Sequence, residues 1–125
     1  MLAKIVGSRE DIAAELLISF PELGQVRLRR GGLPPRIGGW CLLRARVAGI
    51  TVGRTVWLAH GEAATGELLL HEARHVYQFQ AVRWFAVKYV WESLRRGYHA
   101  NGFEHVARQY AAARMQGSAI STYGE

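Results

Sequence analysis

The chain has 125 residues, 50% hydrophobic and 21% charged, which suits one domain over residues 1–125 with a true core and excludes a disordered chain. Its net charge of +6 at pH 7 comes almost entirely from arginine, with Lys4 and Lys88 the only lysines. A single cysteine, Cys41, excludes an internal disulfide and a Cys-rich zinc site, and reads as a small buried hydrophobe.

In chain order, Ser8 before Arg9, Glu10 and Asp11 predicts a helix cap with acids in the first turn. Ile12, Leu16, Leu17 and Phe20 then fall at helical spacing. This N-terminal helix, closed by Pro21 and Gly24, carries too many charges for a secretory leader. No stretch is long and apolar enough to span a bilayer, so the chain is expected to be cytoplasmic. Gln25 to Arg29 alternates, with Val26 and Leu28 on one face, as a short strand does. Gly31 to Pro35 and Gly38–Gly39 read as loop. Residues 40–59 read as β, with strands expected at Leu42 to Val47, Ile50 to Val52 and Thr55 to Leu58. Gly49 offers a turn and Gly53 a bend or bulge.

Beyond Gly61 the period changes. Thr65 predicts the cap of a helix carrying Leu68, Leu69, His71, Glu72, His75, Val76 and Phe79. Unbroken to Arg96, it would be about 45 Å long. A break is therefore expected near Gln80, then a second helix from Arg83 to Arg95 ended by Gly97. Asn101–Gly102 reads as a turn, Phe103 to Met115 as a last helix closed by Gly117, and Ser118 to Glu125 as a loose polar tail. The expected class is α+β: a small, mostly antiparallel sheet of about three strands packed on the helix of His71 and His75, with further helices before and after.

His71 and His75 stand four apart on that helix, so both imidazoles share one face a turn apart and can bind one metal ion. Glu72 is one step round the helix, where a general base sits to take a proton from metal-bound water. Leu68 to Leu70, Val76 and Phe79 place the pair in an apolar helix, where unpartnered imidazoles would be costly. A third ligand is harder to read. Asp11 is the only aspartate and lies far upstream, Glu92 is too distant along a straight helix, and Glu125 is terminal. Glu104, His99 and His105 remain, and Glu104 and His105, being adjacent on a helix, cannot both be ligands.

The segment Leu70-His71-Glu72-Ala73-Arg74-His75-Val76-Tyr77-Gln78 resembles the active-site helix of zincin metallopeptidases, and most of all the minigluzincins. It is also similar to zincin-like core domains of toxin-delivery proteins. The resemblance covers Leu68 to Arg108 and implies a minimal zincin-like fold. In such proteins a second helix supplies a glutamate within Asn-Pro-x-Glu-x-x-Ala. Here Asn101, Glu104 and Ala107 match and Gly102 replaces the proline, so the resemblance implies Glu104 as third ligand. The metzincin alternative needs a Gly and a third His soon after His75, and neither is present.

The expected activity is zinc-dependent peptide hydrolysis, with Zn2+ held by His71, His75 and Glu104 and water activated by Glu72. Tyr98, His99 or His60 would stabilise the oxyanion. Peptide or protein substrate would lie along the strand before the active-site helix, against Val56, Trp57 and Leu58. The alternative is a catalytically silent or latent zinc-binding domain acting as a structural or interaction module, against which Glu72 argues. Arg74, facing away from the ligands, is expected to pair with a carboxylate, and Gln78 to hydrogen-bond backbone or a ligand. Trp84, Phe85, Tyr89, Val90 and Trp91, with Arg83, Lys88, Arg95 and Arg96, read first as a helix packing on its neighbour. The other reading is a basic amphipathic surface for a membrane or partner. A nucleic-acid surface would need Arg27, Arg29, Arg30, Arg44 and Arg46 on one face.

Overall fold

The computed structural model describes residues 6–32 and 49–123. The strand expected at Leu42 to Val47, Cys41 and the loop from Leu33 lie outside those residues. Gly53 at φ 63 closes a two-residue turn, in the left-handed region a residue without Cβ enters freely. That turn joins β3 (Gly49–Val52) to β4 (Thr55–Leu58) as an antiparallel hairpin, with Val52 opposite Thr55. β2 (Arg27–Arg30) pairs with the other side of β4 in parallel, and β1 (Ser8–Arg9) pairs antiparallel with β2. Among the described residues the sheet is therefore mixed and four-stranded, in the order β1-β2-β4-β3: two of its three pairings are antiparallel, as expected, and the third is parallel, with one strand more than the three or so expected.

Two expectations change with this topology. Ser8 is not a helix cap. It is extended against Arg30, whose guanidinium forks onto both carboxylate oxygens of Glu10 at 3.0 and 2.8 Å. The local capping preference loses to strand pairing and a bidentate ion pair. The helix starts later, as α1 (Ala14–Ser19), followed by a 3-10 turn at Pro21–Gln25. Second, Val56, Trp57 and Leu58 do not form an edge strand. β4 is hydrogen-bonded on both sides, so its backbone has no free face for a substrate. Among the described residues, β3 is the outermost strand on that side.

Three further helices follow among the described residues. Thr65 caps α2 (Gly66–Ala81), its hydroxyl accepting from Leu68 N at 3.2 Å. The chain breaks at Val82 to Trp84 and resumes as α3 (Phe85–Arg96), which Gly97 ends at φ 83. The last helix, α4 (Gly102–Tyr123), runs through Gly117. A glycine lowers helix stability by about 1 kcal/mol but does not by itself stop one. α2 packs chiefly on α4, with β3 and the 3-10 turn on its other sides. Leu28, Val56 and Leu58 of the sheet meet Leu69, Leu70, Ala73 and Val76 of α2, with Phe20, Leu23 and Ala111 closing the core. That packing fixes the face of α2 on which the histidines stand. Among the described residues, no helix is long and apolar enough to cross a membrane.

Candidate metal centre

Apolar packing of Leu69, Leu70, Ala73 and Val76 rotates α2 so that His71, Glu72 and His75 turn toward α3, α4 and β3. The His71 and His75 rings sit 5.0 Å apart, edge to face. From α4, Glu104 enters between them. Its Oε2 is 2.8 Å from His71 Nε2 and its Oε1 2.9 Å from His75 Nε2. One donor atom from each residue lies within 4.8 Å of the others, so the three could hold a metal ion. Glu104 and His75 are buried, whereas His71 keeps some exposure toward a cleft.

The donors are held by bonds from separate elements. Gln78 Nε2 donates to Phe103 O at 3.2 Å, which turns Gln78 Oε1 toward His75 Nδ1 at 2.8 Å. The proton of a neutral His75 therefore belongs on Nδ1, leaving the Nε2 lone pair free. His75 Nε2 is buried and makes no hydrogen bond, being close to Glu104 but not aligned to donate to it. A buried nitrogen lone pair beside a second imidazole and a carboxylate is a donor set that divalent transition metals, zinc among them, take. Tyr89 OH on α3 donates to Glu104 Oε1 at 2.5 Å. Asn101, fully buried, anchors this arrangement: its Nδ2 donates to Tyr89 O and Ser93 Oγ, and its Oδ1 accepts from Phe103 N at the start of α4.

The charges follow. Burial opposes ionisation of Glu104, but the hydrogen bond with His71 and the positive charge of His71 and His75 prevail and hold its carboxyl well below the usual range. Burial likewise disfavours a charged His75, yet Glu104 and Glu72 overcome this and raise it to about 9. Burial and the neighbouring Glu104 carboxylate push the Tyr89 phenol upward, so it stays a donor. Without a cation, a proton on His75 neutralises the buried carboxylate, and a metal ion would displace it.

Glu72 is also buried, and Thr51 of β3 donates its hydroxyl to Glu72 Oε2 at 2.7 Å. Gly49 of β3 stands beside it, a Cβ there lying 3.4 Å from Glu72 Oε1. His71 and Glu72 open onto a cleft of about 510 Å3 whose walls include Gly49, Leu68, Tyr98, His99 and Arg108. A larger groove of about 620 Å3 lies beside β1 and β2, along Asp11, Ile12 and Arg27, and contains none of these groups.

Of the candidates for third ligand, the structure brings Glu104 to the histidines. His105, one step round α4, is exposed, and His99 lines the cleft outside the cluster. Glu92 folds back with α3 but pairs with Arg95 and Arg96 at 3.3 and 3.2 Å. Tyr98 and His99 reach the cleft, whereas His60 lies against Gly31. Gln78 bonds both a ligand and backbone. Arg74 lies over the rings of Tyr77 and Tyr110, at 4.2 and 5.0 Å, and pairs with no carboxylate among the described residues. Arg29 and Arg30 are tied to Val6 O, Gly7 O, Ala59 O and Glu10, which removes them from a free basic face. Arg44 and Arg46 lie outside the described residues.

Thr51, Tyr89 and Arg108 have site positions that sequence reading missed. The available signal was faint: Thr51 is the polar residue between Ile50 and Val52, and Tyr89 shares the inner face of α3 with Phe85. No family model matches the chain, and neither a search of curated proteins nor one of solved structures returns a match.

Proposed function

We propose that the chain is a zinc-dependent metallopeptidase of the gluzincin type. The observation that carries this reading is the convergence of His71, His75 and Glu104 beside a buried carboxylate, Glu72, that faces the same cleft. Zinc bound there would supply Lewis-acid polarisation of a carbonyl and acidification of water.

The protein's own groups account for the rest. Thr51 occupies Glu72 Oε2, which leaves Oε1, on the open Gly49 side, to accept a proton from the attacking water. The same carboxyl then returns the proton to the leaving amine. Tyr98, His99 and Arg108 line the cleft, the side from which a donor would reach a developing oxyanion. Arg108 also donates to His99 O at 2.6 Å, tying this wall to α4. An extended peptide would add to β3 rather than β4, because Gly49 of β3 borders the cleft and β4 is paired on both sides.

Elemental analysis and casein cleavage, on wild type beside Glu72→Gln, Glu104→Ala and His105→Ala, test the reading. Expected are one zinc per chain, lost in Glu104→Ala and kept in the other two, and cleavage reduced about 10²- to 10⁴-fold in Glu72→Gln. Zinc retained in wild type with no cleavage would leave a silent zinc domain. No zinc in wild type would overturn the reading altogether.

A further inference from the structure

α3 turns an apolar face outward. Trp84, Val87, Trp91 and Leu94 recur at helical spacing with Val90 beside them, and all five are between 46% and 67% exposed. The border is basic. Residues 83–96 contain Arg83, Lys88, Arg95 and Arg96 against one acid, Glu92, a net charge of +3 from four positive and one negative. Glu92 lies on the inner side, paired with Arg95 and Arg96.

Trp84 adds an independent observation. It is the one described residue other than glycine with positive φ, at 60°, and it is 67% exposed. A bulky side chain is strained in the left-handed region, where Cβ crowds the following carbonyl. Asn or Gly would hold the same turn at lower cost, so packing and backbone geometry both fail to explain an indole here.

We propose that α3 and Trp84 form an interfacial anchor that lies in the plane of an anionic lipid surface, with Trp84, Val87, Trp91 and Leu94 entering the headgroup boundary. Charge complementarity selects lipid. Indoles suit the boundary between water and acyl chains, and Arg83 and Lys88 at the edge of the stripe meet anionic headgroups. The stripe occupies one side of a twelve-residue helix, too short to span a bilayer, so it lies along the surface.

Flotation of the full chain with vesicles of phosphatidylcholine alone, or mixed with phosphatidylglycerol, tests this. Trp91→Gln, Trp84→Asn and Lys88→Gln are compared with wild type, and circular dichroism confirms that each keeps its helix content. Flotation is expected with the anionic vesicles only, weakening as salt rises. Partitioning should fall on the order of ten-fold in Trp91→Gln and about five-fold in Lys88→Gln. Three results would overturn it: no flotation with either vesicle, flotation indifferent to both tryptophan variants, or a dimer without vesicles that Trp91→Gln dissolves. The last would show a second copy covering the stripe.

Discussion

On either side of the Val82 to Trp84 turn, two helices sort polar and apolar residues in opposite senses. α2 takes Glu72, His75 and Gln78 into the interior, and α3 leaves Val87, Val90, Trp91 and Leu94 outside. Each arrangement is unfavourable on its own, because buried polar groups lose water and exposed apolar ones order it. The difference lies in partners. Glu72 is bonded from β3, His75 from Gln78, and Gln78 reaches the start of α4. On α3, the outward side chains are exposed and find nothing comparable among the described residues. A buried polar group points to ligand chemistry when other elements hold it and one atom, here His75 Nε2, is left facing a shared point. An exposed apolar row points to a surface that something else covers.

The contrast is tested most severely at Glu104. Glu104→Ala should lower the stability of the metal-free protein by about 3–5 kcal/mol in urea, because it strips the partner from two imidazoles and the Tyr89 hydroxyl. Trp91→Gln should change it by less than about 0.5 kcal/mol. Equal losses would erase the distinction between the two helices.

A pH series gives the next largest effect. His75 has its ionisation raised from 6.5 to about 9. Its contribution is fully present below pH 6.5 and is lost as pH rises through 9, on the order of 3 kcal/mol. Metal-free protein should lose stability across that window, whereas zinc-loaded protein, in which His75 carries no proton on Nε2, should hold steady. A flat metal-free profile would show that His75 does not keep a proton against Glu104.

Tyr89→Phe is smaller. Losing the donor to Glu104 Oε1 should cost about 1–3 kcal/mol, and zinc affinity, read by competition with a chelator, should fall about 10- to 100-fold. Unchanged affinity would reduce α3 to a packing element. A small effect of opposite sign is expected at Gly102, where an added Cβ would meet only Glu92 Oε1 at 3.9 Å. Gly102→Ala should stabilise by about 0.4–1 kcal/mol, leaving zinc binding intact, since Asn101 already fixes the start of α4.

The helices were the legible part of the fold, and the histidines the legible part of the site. His71 and His75 could be placed on one face because Leu68 to Leu70, Val76 and Phe79 establish the helix that carries them. Glu104 was harder. Local order left His99 and His105 open, and the packing of α4 on α2 turns Glu104 inward and His105 outward. Thr51 and Tyr89 were out of reach, because each acts across a tertiary contact between segments with no shared pattern. The sheet shows the same limit. Ile50 to Val52 and Thr55 to Leu58 read as strands, but the parallel pairing of β2 with β4, which takes Val56, Trp57 and Leu58 off the edge, leaves no local trace. Ser8 carried a genuine capping signal that the Glu10–Arg30 ion pair and strand pairing outweigh.

The three donors of the candidate metal centre come from only two helices, with all of α3 strung between His75 and Glu104. A cation bound there would therefore be a removable cross-link, closing a loop of chain as a disulfide does elsewhere, in a protein whose single cysteine cannot supply one. Its removal would restore to α3 the conformational freedom that closure takes away. Resistance to protease in the Val82 to Trp84 turn would then rise and fall with the metal, a record of ion occupancy written in the mechanics of the backbone.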